Sequence, residues 1–138
     1  MKVVSWNCRG LGGVQKLEVI KRFKKMEATS ILLIQETKKS AEDSITTIKN
    51  IWPKGTGLAI NANRASGGLL CWWNSDQFAL CSAIENRNWI LIKLENKKSN
   101  AQFWIGNVYG PTMNSQKERF WTSLEDQCED KKLLPITL

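Results

Sequence analysis

Apolar residues along this chain fall into short unbroken runs and helical stripes. The clearest run is Ile31-Leu32-Leu33-Ile34, bounded by Ser30 and Gln35. It predicts a short strand buried on both faces, in the middle of a sheet. A second run, Val3 to Trp6, opens the chain and ends in polar Asn7, after which Gly10, Gly12 and Gly13 mark a loop. Between the two runs, Val14, Leu17, Ile20, Phe23 and Met26 recur on one helical face, so residues 14–27 predict a helix. Lys16, Lys21, Arg22, Lys24 and Lys25 crowd its remainder; such a face can touch DNA, but is more commonly just solvated. Strand, helix, strand in this order makes a parallel or mixed sheet.

A weaker amphipathic helix follows over 41–52, with Ile45, Ile48, Ile51 and Trp52 apolar, stopped by Pro53, Gly55 and Gly57. The pattern then turns to strands: 57–61, 67–73, 78–84, 89–95 and 102–109, with a hairpin loop at 96–100. Together these predict an antiparallel meander. Residues 115–129 predict a helix, with Ser115 as N-cap, Glu118 completing a capping box, and Phe120, Trp121 and Leu124 as its apolar face. Apolar, strand-like Leu133 to Leu138 closes the sequence. No repeat, low-complexity tract or linker interrupts it, so residues 1–138 read as one domain or part of one.

Composition narrows the function classes. Hydrophobic residues make up 42% and charged residues 24%, enough for a core in a globular domain. No apolar run nears the roughly 20 residues of a membrane span, and the start has no secretory pattern, so an intracellular protein is expected. Four scattered cysteines and no histidine argue against a zinc site and for free, mostly buried thiols. The net charge of +7 suits a polyanionic partner such as nucleic acid. It suits a lysine-rich solvated surface equally. Trp6, Trp72, Trp73, Trp89 and Trp104 lie within apolar runs, which favours packing between sheets over base stacking.

Three residues carry candidate chemistry. Glu36 follows the central strand, at the rim where α/β folds place ligands. As a hard oxygen donor it suits magnesium or manganese; as a strand-end charge it equally suits a solvated loop. Tyr109, the single tyrosine, stands at a strand end before Gly110-Pro111. Its hydroxyl could hold a phosphate oxygen, or its ring could pack under the turn. Arg64, in the polar loop 61–66, could contact phosphate through its guanidinium.

The order SWNCRGLG, ILLIQETK and NVYGP resembles the endonuclease/exonuclease/phosphatase superfamily over nearly the whole chain. With KERFW it looks most like the apurinic-type endonuclease domains of plant LINE (non-LTR) retrotransposons. The resemblance implies an α/β (α+β-like) β-sandwich with flanking helices and a magnesium- or manganese-dependent phosphodiesterase acting on DNA, in the nucleus for a retroelement. It implies Glu36 as a metal ligand, Asn7 as organiser of the metal site or holder of the phosphate, and Tyr109 as a contact to the scissile phosphate. Arg9 and Lys38 are implied as DNA backbone contacts. Family members continue with Gly-Asp-Phe-Asn and Ser-Asp-His motifs, absent from these residues. The expectation is therefore an N-terminal portion with its C-terminal part absent, inactive or very weak, holding metal weakly if at all, and able to self-associate through uncovered sheet. Two other readings stand: a non-catalytic basic nucleic-acid-binding remnant, and a phosphatase of the same superfamily.

Overall fold

The computed structural model describes residues 1–26, 29–63, 66–110 and 114–128. Two sheets lie face to face with helices on both outer sides. The first sheet has the order β1-β2-β4-β3, from β1 (Val3–Asn7), β2 (Ile31–Gln35), β3 (Gly55–Ile60) and β4 (Leu69–Asn74). The second is an antiparallel meander of β5 (Phe78–Asn86), β6 (Trp89–Asn96) and β7 (Gln102–Val108). The predicted meander is thus divided: β3 and β4 join β1 and β2, and only β5 to β7 form a sheet of their own. Helices α1 (Val14–Met26) and α2 (Ala41–Ile51) follow β1 and β2, and α3 (Asn114–Cys128) follows β7. The mixed α/β sandwich agrees with the expectation.

The side-chain period of two explains the layers. Along β2, Leu32 and Ile34 pack with Ile20, Ile48, Trp52, Leu70 and Trp72 on the helix side. Ile31 and Leu33 pack with Leu69, Cys71, Trp73, Ile90, Ile92 and Ile105 between the sheets. Every residue of β2 is buried, as its unbroken apolar run predicts. On the far side of the second sheet, Trp89, Leu91 and Val108 pack against Phe120 and Leu124 of α3. Trp52, Trp72, Trp73 and Trp89 are core residues, but adjacent Trp72 and Trp73 face opposite layers, so only some of them lie between the sheets; Trp121, expected on the apolar face of α3, is 50% exposed.

Several local readings need correction. Val14 was expected on the buried face of α1, yet it is 76% exposed, whereas Ile20, further along the helix, is fully buried. β3 begins at Gly55 rather than Gly57: a Cβ at Gly55 would strike the Trp72 indole, so both glycines serve as floor for that ring. β4 begins at Leu69 rather than Gly67, since Gly67 and Gly68 have φ of 76° and 90° and cannot extend the ladder. α3 begins at Asn114, which places Ser115 inside the first turn rather than at the cap; the side chains of 114–116 lie outside the described residues, as do Arg64 and 129–138.

Candidate functional site

The site lies where β1, β2 and β7 end. β1 and β2 are parallel, with Asn7 opposite Gln35, so both chains leave the sheet on the same side. Beyond the last pair their loops stay zipped: Cys8 N–H donates to Gln35 O at 3.1 Å, Gly10 N–H to Glu36 O at 2.7 Å, and Leu11 N–H to Thr37 O at 2.7 Å. On the other side, Thr37 and Lys38 N–H groups donate to Gly68 O and Gly67 O. The segment 36–38 is therefore clamped between two loops.

The clamp holds unusual backbone. Arg9, Glu36 and Lys38 all have positive φ, at 54°, 56° and 57°. Non-glycine residues avoid this region at a cost of roughly 1–2 kcal/mol each, and it persists where surrounding contacts over-determine it. For Glu36 the result is a half-buried carboxylate turned across the strand ends. Tyr109 completes the arrangement: its hydroxyl donates to Glu36 Oε1 at 2.7 Å. This hydrogen bond, then burial and the nearby negative charge, push the Tyr109 phenol above its ordinary value. Near neutral pH Tyr109 is thus a neutral donor.

Asn7 is exposed at the end of β1, and its Oδ1 accepts the Arg9 N–H at 3.3 Å, an Asx-type turn that starts the glycine loop. Among the described residues it makes no hydrogen bond to Glu36 or Tyr109. Glu36 and Tyr109 thus meet directly, while Asn7 stands beside them on the neighbouring strand end. Behind the carboxylate sits Cys8, 3% exposed, its thiol donating to Glu36 O at 3.5 Å. Burial pushes that thiol up, which keeps it protonated and inert.

Cations gather over the glycine loop that is zipped to residues 36–37. Gly10, Leu11, Gly12, Thr37, Lys38 and Lys39 line an open cavity of ≈ 330 Å³. Lys38 Cδ and Lys16 Nζ reach over Gly10, and Lys39 reaches over Gly12. Lys16 Nζ also donates to Arg9 O at 2.8 Å. Among the described residues, none of these lysines pairs with an acid. Lys39 was not singled out in the sequence, although it adjoins Lys38, and Lys16 was read there only as one of the basic residues on the face of α1.

Two further residues escaped the sequence reading. Gln35 and Asn107 are 6% and 0% exposed and meet beneath the site, Gln35 Nε2 donating to Asn107 Oδ1 at 2.8 Å. A signal existed: each has the same strand parity as the inward residues Leu33 and Ile105, so each is a polar group aimed at the core.

As a metal site, the donor set is sparse but of the right kind. Glu36 offers a carboxylate and Asn7 an amide oxygen on adjacent strand ends; magnesium commonly takes one or two carboxylates, with waters and substrate phosphates in its other positions. No group of three or more acidic, histidine or cysteine side chains that could hold a metal occurs among the described residues.

No protein-family model matches the chain, and no curated protein does. Solved structures do. An endonuclease/exonuclease/phosphatase family protein from Bacteroides thetaiotaomicron superposes with a TM-score of 0.70 at 13% identity, covering 95% of this chain and 59% of that one. The Xenopus laevis APE2 catalytic domain gives 0.68 at 18%, covering 94% and 53%. The Neisseria 3′ phosphatase NExo, bound to a product DNA hairpin, gives 0.71 at 15%, covering 96% and 55%. At these identities the likeness is one of fold, and the chain spans rather more than half the length of those structures. The described strands and helices therefore carry the fold of the endonuclease/exonuclease/phosphatase proteins, over that part of it.

Proposed function

We propose that this chain is the amino-terminal portion of a divalent-metal-dependent phosphodiesterase domain that engages the DNA backbone. The observation that carries this reading is the Tyr109–Glu36 hydrogen bond across the ends of two sheets, with unpaired lysines alongside. A carboxylate held by a phenol is suited to share a cation with a phosphate, and the phenol is suited to hold a phosphate oxygen. The resemblance to APE2 and to a DNA-bound phosphatase supports DNA as the substrate class. The wording WNCRGLG, QETK, NVYGP and KERFW supports an element of the LINE retrotransposon type, which would work in the nucleus.

In this reading Glu36, with Asn7 beside it, would hold magnesium or manganese. Bound there, the metal supplies charge neutralisation at the phosphate. Tyr109 donates to a non-bridging phosphate oxygen, and Lys38, with Lys16, Lys39 and Arg9, neutralises flanking phosphates without reading bases. Arg64 belongs to the same proposal as a further phosphate contact. Water activation needs a base. Glu36 is committed to metal and Tyr109 is a donor, so residues 1–138 alone are proposed to bind but to cleave weakly or not at all. Self-association through the edges of the two sheets is part of the same proposal, since an unpaired edge is a template for another chain.

The test is binding and nicking of supercoiled plasmid with magnesium, with EDTA, and by Glu36→Gln. Magnesium-strengthened binding that Glu36→Gln loses, with little nicking, is the expected result. Fast magnesium-dependent nicking abolished by Glu36→Gln would overturn the weak-cleavage part. Binding indifferent to both magnesium and Glu36→Gln, yet falling steeply with salt, would favour a purely basic nucleic-acid-binding module.

A further inference from the structure

We propose that the buried amide pair Gln35–Asn107 is a positioning device that sets β7 against β2 in the one register that brings Tyr109 to Glu36. The two amides stand directly beneath the site: Gln35 immediately precedes Glu36, and Asn107 lies two residues before Tyr109, on the same face of its strand. Asn107 Nδ2 donates to Ile34 O at 3.1 Å and to Leu70 O at 2.9 Å, so its side chain spans β2 and β4 of the opposite sheet. Both partners are carbonyls, which fixes the amide's orientation. Asn107 Oδ1 must then accept, and it does so from Gln35 Nε2, whose other proton goes to Ser5 Oγ at 3.0 Å on β1. Four strands are tied by one chain of directional bonds.

Among the described residues, the other side chains packed around this pair between the sheets are apolar. Ile31, Leu33, Ile90, Ile92 and Ile105 make apolar contacts, which are non-directional and tolerate sliding. Sliding the second sheet over the first by one or two residues would carry Tyr109 about 3–7 Å away from its place beside Glu36. Stability alone does not call for amides here, because replacing both partners of a buried hydrogen bond by apolar groups of similar shape is often nearly neutral. The inference rests on Tyr109 and Glu36 being the site pair proposed above. Its test reads hydrogen bonding rather than cleavage, so the two can fail separately.

The experiment uses the full chain with Asn107→Leu, with Gln35→Met, and with both changes. Unfolding in urea reads stability, and Raman spectroscopy of the single tyrosine reads whether its hydroxyl is a donor. Each single change strands a buried amide and should lower stability. The double variant removes both amides and should recover most of that loss, while the tyrosine donor signature stays absent. A folded double variant that keeps the parent's tyrosine signature would overturn the proposal. So would failure of the double variant to fold, since the pair would then be a requirement of folding rather than of positioning.

Discussion

Tyr109 and Glu36 are joined by a 2.7 Å hydrogen bond although 73 positions separate them in the chain. They follow strands of different sheets, β2 and β7, and the bond joins the two sheets at the rim where β1 and β2 finish. A phenol that donates to a carboxylate has its own ionisation opposed by that carboxylate's charge.

This bond is readable in solution, because the chain has one tyrosine. Near-ultraviolet absorbance during alkaline titration should show Tyr109 ionising above the ordinary value of 10.0. Glu36→Gln removes the first cause of the shift and should bring the titration back toward that value. Saturating magnesium should act in the same direction if Glu36 holds the metal. The stability consequence follows in sign: the folded value is raised, so the contribution is complete below about pH 10 and is lost as pH climbs through the folded value. An unshifted titration in the parent chain would remove the bond from the account.

Gly67 and Gly68 separate backbone cost from steric cost at the clamp. Both have positive φ, but a Cβ at Gly67 meets nothing within 4 Å, whereas one at Gly68 would fall on Thr37 Oγ1. Gly67→Ala should cost about 1 kcal/mol. Gly68→Ala adds overpacking against buried Thr37 and should cost about 2–4 kcal/mol. Equal losses in urea unfolding would show that the two loops are not packed as described.

Lys38 combines backbone strain with a proposed phosphate contact. Its φ of 57° is a conformation glycine adopts freely. Lys38→Gly should therefore leave stability unchanged or raise it by up to about 1 kcal/mol, and should weaken DNA binding. Lys16→Gln and Lys39→Gln should each lower the salt dependence of DNA binding by about one unit of slope, equally across sequences. A loss confined to one DNA sequence would contradict backbone contact.

Much of the architecture was legible because burial on two faces leaves a strong mark. Ile31 to Ile34 could hardly be anything but a central strand, and Glu36 after it was placed by that reading alone. What stayed hidden depended on pairing between distant segments. β4 is an unbroken apolar run buried like β2, but a run of that kind does not say which strand it pairs with, so the joining of β3 and β4 to β2 was not legible. Gln35 was read as the polar boundary of its strand, though its parity aims it inward, and Asn107 drew no notice within FWIGNVYG. Val14 fits the helical stripe by spacing, but spacing does not say which turns of a helix find a partner to cover them. Tyr109 could not be assigned from its residues, since its partner is 73 positions away.

The central claim is that Glu36 is the metal-holding group of a phosphate site. It is tested most directly by electron paramagnetic resonance of manganese bound to the full chain, with and without a short DNA duplex, in the parent and in Glu36→Gln. The account predicts bound manganese that magnesium displaces, that DNA tightens by supplying phosphate oxygens, and that Glu36→Gln weakens by at least about tenfold. Manganese held equally well by Glu36→Gln, with or without DNA, would contradict it.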